Sequence, residues 1–418
     1  MTLIDWHADR EGASAPGSFD RDPAPGEIDI KAVRAYRLQR LRTQMAERGI
    51  AACILSDPVS IRYATDTRNM QIFSSRNQPA RYLIVTAGDT VLYEFTGCEH
   101  LAEGYETVSE VRPSMTASFV AAGEEIAERE RRWAAKTASE LRELIGKERV
   151  VGVERLNAGA TAGLAAEGFT LVDAHAPLER ARAIKSPEEV KCVVASLRAT
   201  ERGVAKLRAA IRPGITENEL WSTLFGHVIA EGGDYCETRL LNSGPRTNPW
   251  FQECGPRVIG ANELICLDTD VVGCYGYYSD FSRTFHSGPD KPGERQRALY
   301  RAAYEQVHHN MGLLQPGVTF KEYSERAWDL PEKYLAHRYY LSAHGCGMTG
   351  EYPYLYHRAD YADAGYDGVV EPGMTLCVEA FIGEEQGGEG VKLEQQILIT
   401  ETGQELLSRF PFEEALLA

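Results

Sequence analysis

From Ile30 onward apolar residues recur at helical spacing, through Ala32, Val33, Tyr36, Leu38, Leu41 and Met45, and predict a helix. The run A-A-C-I-L at 51–55 then reads as a buried strand, with R-Y-L-I-V-T at 81–86 and V-L-Y-E-F at 91–95 as further strands. Between Gly123 and Gly146 apolar residues keep a helical period among many charges, and V-V-G-V at 150–153 follows as a short strand. Helices and strands alternating in this way predict an α/β domain over 31–183. At A-R-A-I-K-S-P-E-E-V the pattern changes: Ser186 is placed to cap a helix, with Pro187 at its first position and Glu188 and Glu189 in its first turn. The domain boundary is therefore expected near Ile184.

Long helical patterns continue to about Glu231. Beyond them the chain turns to short β runs separated by glycines: L-I-C-L-D-T-D, Y-Y-S-D-F-S-R-T-F, T-L-C-V-E-A-F-I and V-K-L-E-Q-Q-I-L-I-T. An α+β domain over 184–418 is the expectation. Residues 1–30, rich in Pro, Gly, Asp and Ser, read as a loosely packed arm.

The length of 418 residues agrees with two domains, and 43% apolar with 25% charged residues is ordinary for a globular chain. A net charge of −16 argues against nucleic acid, which would be repelled. Nine cysteines, an odd number without a C-x-x-C pair, fit a reducing compartment better than a disulfide framework. The first ten residues lack an apolar core of signal-peptide length, and no run of about 18 apolar residues occurs. A cytoplasmic protein with no membrane partner is expected.

Acidic residues inside these β runs carry the chemistry. Asp268 and Asp270, two apart in a strand, would present two carboxylates on one face. Asp280 lies beyond the glycine-bearing segment V-V-G-C-Y-G, which a hairpin needs to bring a third carboxylate against the first two. Glu379 and Glu394 stand in apolar strands, where an uncompensated carboxylate is expensive. His344, in S-A-H-G-C-G-M, sits among glycines that would let the backbone approach a metal. Five carboxylates and an imidazole suit two divalent ions of Mn, Fe, Co or Zn.

In order and spacing these residues resemble the metal site of the pita-bread superfamily, which includes methionine aminopeptidases, prolidases, Xaa-Pro aminopeptidases and creatinases. E-P-G-M at 371–374 and I-T-E-T-G-Q-E-L-L at 399–407 are similar to its closing strands. The resemblance implies a creatinase-like α/β amino-terminal domain and a pita-bread α+β catalytic domain. Peptidases of this fold use two further histidines, and here Trp250 and Gly350 stand at those positions. That weakens a dipeptidase reading, because general acid-base help from imidazole is missing.

Longer segments resemble the DddP-type metal-dependent lyases, which split dimethylsulfoniopropionate into dimethyl sulfide and acrylate. They are I-R-Y-A-T-D, then N-M-Q, the long run from Glu237 to Val258, the D-T-D containing Asp270, and E-P-G-M-T-L-C-V-E-A. The resemblance implies a β-elimination with Tyr339 as an active-site tyrosine, and a homodimer in which Arg62, Tyr63, Asn69 and Phe73 of one chain help close the other's site. Trp250, Phe251, Tyr339 and Tyr352 are candidates to face a sulfonium, since cations sit favourably over aromatic rings. Gly350 occupies the position of those lyases' catalytic aspartate, so Glu351 next to it, or a metal-bound hydroxide, is left as the base. Hydrolysis of a small C–N bond is the alternative reaction, and a non-catalytic metal-binding descendant is the third reading.

Overall fold

A computed structural model of the chain describes residues 27–418. Most of the arm expected over 1–30 lies outside the described residues. The chain divides into two compact units, Asp29–Arg182 and Ala183–Ala418.

The first unit opens with the helix Ile30–Glu47, whose amino terminus is capped by Asp29 accepting from the Ala32 amide. Six strands follow: β1 (Ala52–Leu55), β2 (Tyr82–Thr86), β3 (Thr90–Glu94), β4 (Glu110–Pro113), β5 (Val150–Val153) and β6 (Thr170–Asp173). They form one sheet in the order β4-β3-β2-β1-β5-β6, antiparallel at β1–β2 and β2–β3 and parallel elsewhere. Ile54, Ile84 and Tyr93 on the sheet pack with Trp133 and Leu141 of the helix Ile126–Ile145. The sequence pattern does not announce β4 and β6, because both are short edge strands that are half exposed, with no buried apolar run to mark them.

In the second unit the helix Pro187–Ala210 begins as expected, with Ser186 and Glu189 exchanging side-chain and backbone hydrogen bonds in a capping box. The helix Glu217–Ala230 follows. The strands come next: β7 (Tyr235–Cys236), β8 (Leu241–Ser243), β9 (Leu264–Asp268), β10 (Val271–Val272), β11 (Tyr278–Ser279), β12 (Ser282–His286), β13 (Leu341–Cys346), β14 (Gly350–Tyr356), β15 (Thr375–Gly383), β16 (Gly390–Thr400) and β17 (Gly403–Leu406). Three sheets result, ordered β11-β10-β7, β12-β9-β8 and β14-β13-β15-β16-β17. The long strands β15 and β16 are buried along nearly their whole length, and the helix Glu294–Leu313 packs its Leu299, Ala303 and Val307 onto their Ala380, Ile382, Val391 and Leu393. No helix among the described residues is long and apolar enough to cross a membrane.

Candidate metal centre

Register places the two glutamates first. Strands β15 and β16 run antiparallel with Glu379 directly opposite Glu394, a like-charged pair that is destabilising unless a cation intervenes. His344 joins them from β13, where it pairs with Cys377 of β15, two residues before Glu379 and therefore on the same face. The His344 Nδ1 lies 2.9 Å from the Gly345 carbonyl, which fixes the ring with Nε2 turned to the carboxylates. That nitrogen stands 3.5 Å from Asp280 Oδ2, 3.5 Å from Glu394 Oε1 and 3.6 Å from Glu379 Oε1. Atoms bound at about 2.0–2.2 Å to one ion are separated from each other by roughly 3–3.5 Å, so this spacing fits a shared cation.

The aspartates arrive by a different route from the one the sequence suggests. Strand β9 ends at Asp268, and Asp270 reaches the site through a left-handed backbone (φ 41°) rather than by strand alternation. The glycine-bearing hairpin is present, with Val271 opposite Ser279 and Val272 opposite Tyr278, and it delivers Asp280 just before β12 begins. Asp268, Asp270 and Asp280 form one compact group of donors, and Asp280, His344, Cys377 and Glu394 form another that shares Asp280.

Three buried carboxylate oxygens, Asp280 Oδ1, Glu379 Oε1 and Glu394 Oε1, have no hydrogen-bond partner. Leaving such atoms unsatisfied is expensive, and a divalent cation satisfies them, so the donor set fits a metal. The electrostatics agree. Burial raises the carboxyl groups of Asp268 and Asp280 well above their usual range, raises Asp270 as well, and lifts Glu379 to about 7 although Lys392 opposes it. Glu394 is also pushed up by burial, but Lys392 and His344 outweigh this and hold it below the usual range. Burial lowers His344, yet the Glu394 carboxylate 3.5 Å away and the charge of Glu379 raise it to about 10.

Lys392 is the residue the sequence reading overlooks. Fully buried on β16, its ammonium lies 2.8 Å from both Glu379 Oε2 and Glu394 Oε2 and 3.1 Å from Asp268 Oδ2. Ser282 Oγ completes this side, 2.7 Å from Asp268 Oδ1 and 2.7 Å from Glu394 Oε2. Alternation in V-K-L-E, which puts Lys392 on the face of Glu394, was the available signal. Cys377 was equally available, two residues before Glu379.

Beside this cluster opens a cavity of about 310 Å³, lined by Glu237, Asp270, Tyr278, Asp280, Tyr339 and His344, together with Leu341, Thr349, Gly350 and Tyr354. The Tyr278 hydroxyl donates to Asp270 Oδ1 at 2.8 Å. Tyr339 packs edge-on against exposed Phe251, with ring centroids 5.1 Å apart, and the Lys392 ammonium lies 5.5 Å from the Trp250 ring and 5.7 Å from that of Tyr339. Burial, with the charge of Glu379 added, pushes the Tyr339 hydroxyl far above its usual range, so it stays protonated.

A family model for metallopeptidase family M24 matches residues 191–401, and one for the creatinase/prolidase amino-terminal domain matches 37–184. The chain belongs to metallopeptidase family M24. Among M24 relatives it is similar to the dimethylsulfoniopropionate lyase DddP of Roseobacter denitrificans, at 37% identity over 93% of this chain and 88% of the relative. The DddP of Roseovarius nubinhibens is 36% identical over the same shares. In three dimensions the chain is similar to an Xaa-Pro dipeptidase from Bacillus anthracis, with TM-score 0.73 and 22% identity over 91% of this chain and 99% of the other. The prolidase from Pyrococcus horikoshii gives TM-score 0.70 and 20% identity over 90% and 99%. The M24 fold is thus an α/β creatinase-like domain followed by an α+β pita-bread domain.

Several sequence expectations require correction. Glu351 does not enter the cavity: it lies on the opposite face of β14 from Gly350 and is ion-paired with Lys185, both side chains buried. The glycines beside His344 serve this packing rather than metal approach, since a Cβ at Gly347 would strike the Glu351 carboxylate and one at Gly345 would strike the Tyr352 carbonyl. Tyr352 is a packing residue too, stacked among Phe320 and Tyr366, because a register shift between His344 and Gly345 turns it from the cavity. In the first unit Arg62 and Tyr63 are buried on the helix Pro58–Thr65, with the guanidinium groups of Arg37 and Arg182 over the Tyr63 ring, so neither is open to a substrate. Phe73 of that unit is exposed.

Proposed function

We propose that this M24 chain is a metal-dependent carbon–sulfur lyase that cleaves dimethylsulfoniopropionate, or a close small onium zwitterion, to dimethyl sulfide and acrylate. Likeness to the two DddP lyases along nearly the whole chain carries the reading. The cavity supports it: about 310 Å³ is at the small end of ligand sites, and its walls combine acidic groups with the rings of Tyr278, Tyr339 and Tyr354, a lining suited to a compact cation. His344 is the one imidazole among the lining residues, which disfavours the alternative amide hydrolysis.

The proposal includes two divalent ions, one held by Asp280, His344, Glu379 and Glu394 and the other by Asp268, Asp270, Asp280 and Glu394. When bound, they supply Lewis acidity that draws electrons from a substrate carboxylate and acidifies the neighbouring C–H. Lys392 opposes the protonation that burial favours at Asp268 and Glu379 and, with His344, keeps Glu394 ionised for binding. Tyr339, kept protonated by burial, donates a hydrogen bond to the substrate, and the rings of Tyr339 and its exposed neighbour Phe251 offer faces to the sulfonium, whereas Trp250 is buried against Phe381 outside the cavity lining. A cytoplasmic homodimer, with Phe73 lining the contact between copies, completes the reading.

Metal-loaded protein incubated with dimethylsulfoniopropionate should release dimethyl sulfide, measured by headspace gas chromatography. No release above a chelated control overturns the lyase reading, and release of proline from Xaa-Pro dipeptides would establish the hydrolase instead.

A further inference from the structure

A β-elimination needs a group that removes the proton, and Glu351, paired with Lys185 on the far face of β14, is not it. The carboxylates lining the cavity are Glu237, Asp270 and Asp280. Asp280 belongs to both donor groups, and Asp270 is held by the hydroxyls of Thr238 and Tyr278. Tyr278 and Tyr339 are kept protonated by burial, and His344 is committed through both ring nitrogens. Glu237 remains.

Its position is built. The Glu237 amide donates to the Asp270 carbonyl at 2.9 Å, fixing the backbone to the metal-binding turn. Its two carboxylate oxygens lie 3.1 and 3.2 Å from Thr349 Oγ1, the residue immediately before Gly350. A Cβ at Gly350 would meet open space, so the glycine leaves the cavity clear beside that carboxylate. Glu237 is also exposed, and can pass a proton on to water.

We propose that Glu237 is the general base of the elimination, its carboxylate held on Thr349 at the cavity wall and facing the space that Gly350 leaves empty; the assignment rests on the lyase reading above. Glu237 Oε takes the proton from the carbon next to the substrate carboxylate. The C–H electron pair becomes the new C=C bond, the C–S bond breaks, and its electron pair leaves with sulfur. Sulfonium zwitterion is thereby converted to neutral dimethyl sulfide and acrylate, with one proton left on Glu237 and returned to solvent.

The test uses full-length metal-loaded protein with dimethylsulfoniopropionate, following kcat by gas chromatography and metal content by emission spectroscopy. Glu237→Gln should lower kcat by roughly 10²–10⁴-fold, the usual share of a general base, with metal content unchanged. Adding Gly350→Asp to that variant should recover at least about tenfold by returning a carboxylate from the other wall. Should Glu237→Gln fold poorly, Glu237→Asp, which withdraws the oxygens by one methylene, decides the matter: a loss of at least about tenfold supports the assignment, and undiminished kcat overturns it. Wild-type release with Glu237→Gln within about threefold of it overturns the assignment alone; no release from wild type overturns the assignment together with the lyase reading.

Discussion

Lys392 and Glu394 stand two residues apart on β16, and the ammonium of one lies 2.8 Å from Oε2 of the other, with both side chains out of water. The same ammonium reaches Asp268 and Glu379, so one strand supplies both a donor to the candidate metal centre and the fixed cation that neutralises it. Such a group should matter most when no ion is bound.

Lys392→Met removes that charge while keeping a side chain of similar length. Losing one partner of a buried pair is strongly destabilising, about 3–5 kcal/mol, so the chelated variant should melt well below chelated wild type. Saturating metal should narrow the gap, because added ions compensate the same carboxylates. Differential scanning calorimetry with and without chelator checks this; equal melting of the two chelated proteins would contradict it.

Metal affinity should rise with pH. In the metal-free protein His344 stays protonated to about 10 and Glu379 keeps a proton below about 7, and each must give it up to bind. Up to about pH 10 the apparent affinity should climb at least about tenfold per pH unit from His344, with the raised aspartates adding to the slope, and below 7 more steeply as Glu379 adds its proton. The Glu379 shift also fixes a sign for stability without metal: its folded value is raised, so its contribution is full below the ordinary 4.5 and is lost as pH rises through about 7. Competition with a chromophoric chelator over this range reads the slope, and a flat profile would refute it.

Glu351→Gln separates packing from catalysis. It leaves the buried Lys185 ammonium without its carboxylate, so the melting temperature should fall, by roughly 3–5 kcal/mol of stability. Turnover per folded, metal-loaded enzyme should stay within about twofold of wild type. Loss of kcat at intact stability would return Glu351 to the reaction.

Phe251→Ala tests the aromatic wall. The ring is exposed and rests on Tyr339, so its loss should leave stability within about 0.5 kcal/mol. An exposed cation–π contact contributes roughly 0.5–1 kcal/mol, and KM for the sulfonium should rise about two- to fivefold with kcat nearly unchanged. An unaltered KM would remove Phe251 from the substrate's surroundings.

How much of the site is legible in the chain follows from where each signal lies. Asp268, Asp270, Asp280, Glu379 and Glu394 can be picked out because acids inside apolar β runs contradict their neighbours, and that contradiction is visible in one dimension. The capping box at Ser186 is likewise local, held within four consecutive residues. Glu351 looks catalytic by adjacency to Gly350 and Tyr352 looks like a ring for the sulfonium, but adjacency in a strand alternates faces and a register shift alters the alternation again.

By itself the sequence determined the two-part architecture and the candidate acidic donors, since composition and period are properties of neighbouring residues, while the missing peptidase histidines were legible only through the resemblance. Only the tertiary structure decided that Lys392 lies among the donors, that Glu237 faces the cavity and that Glu351 turns away to Lys185. Those facts depend on register between strands far apart in the chain, and pairing energy is set by partners that no local window contains.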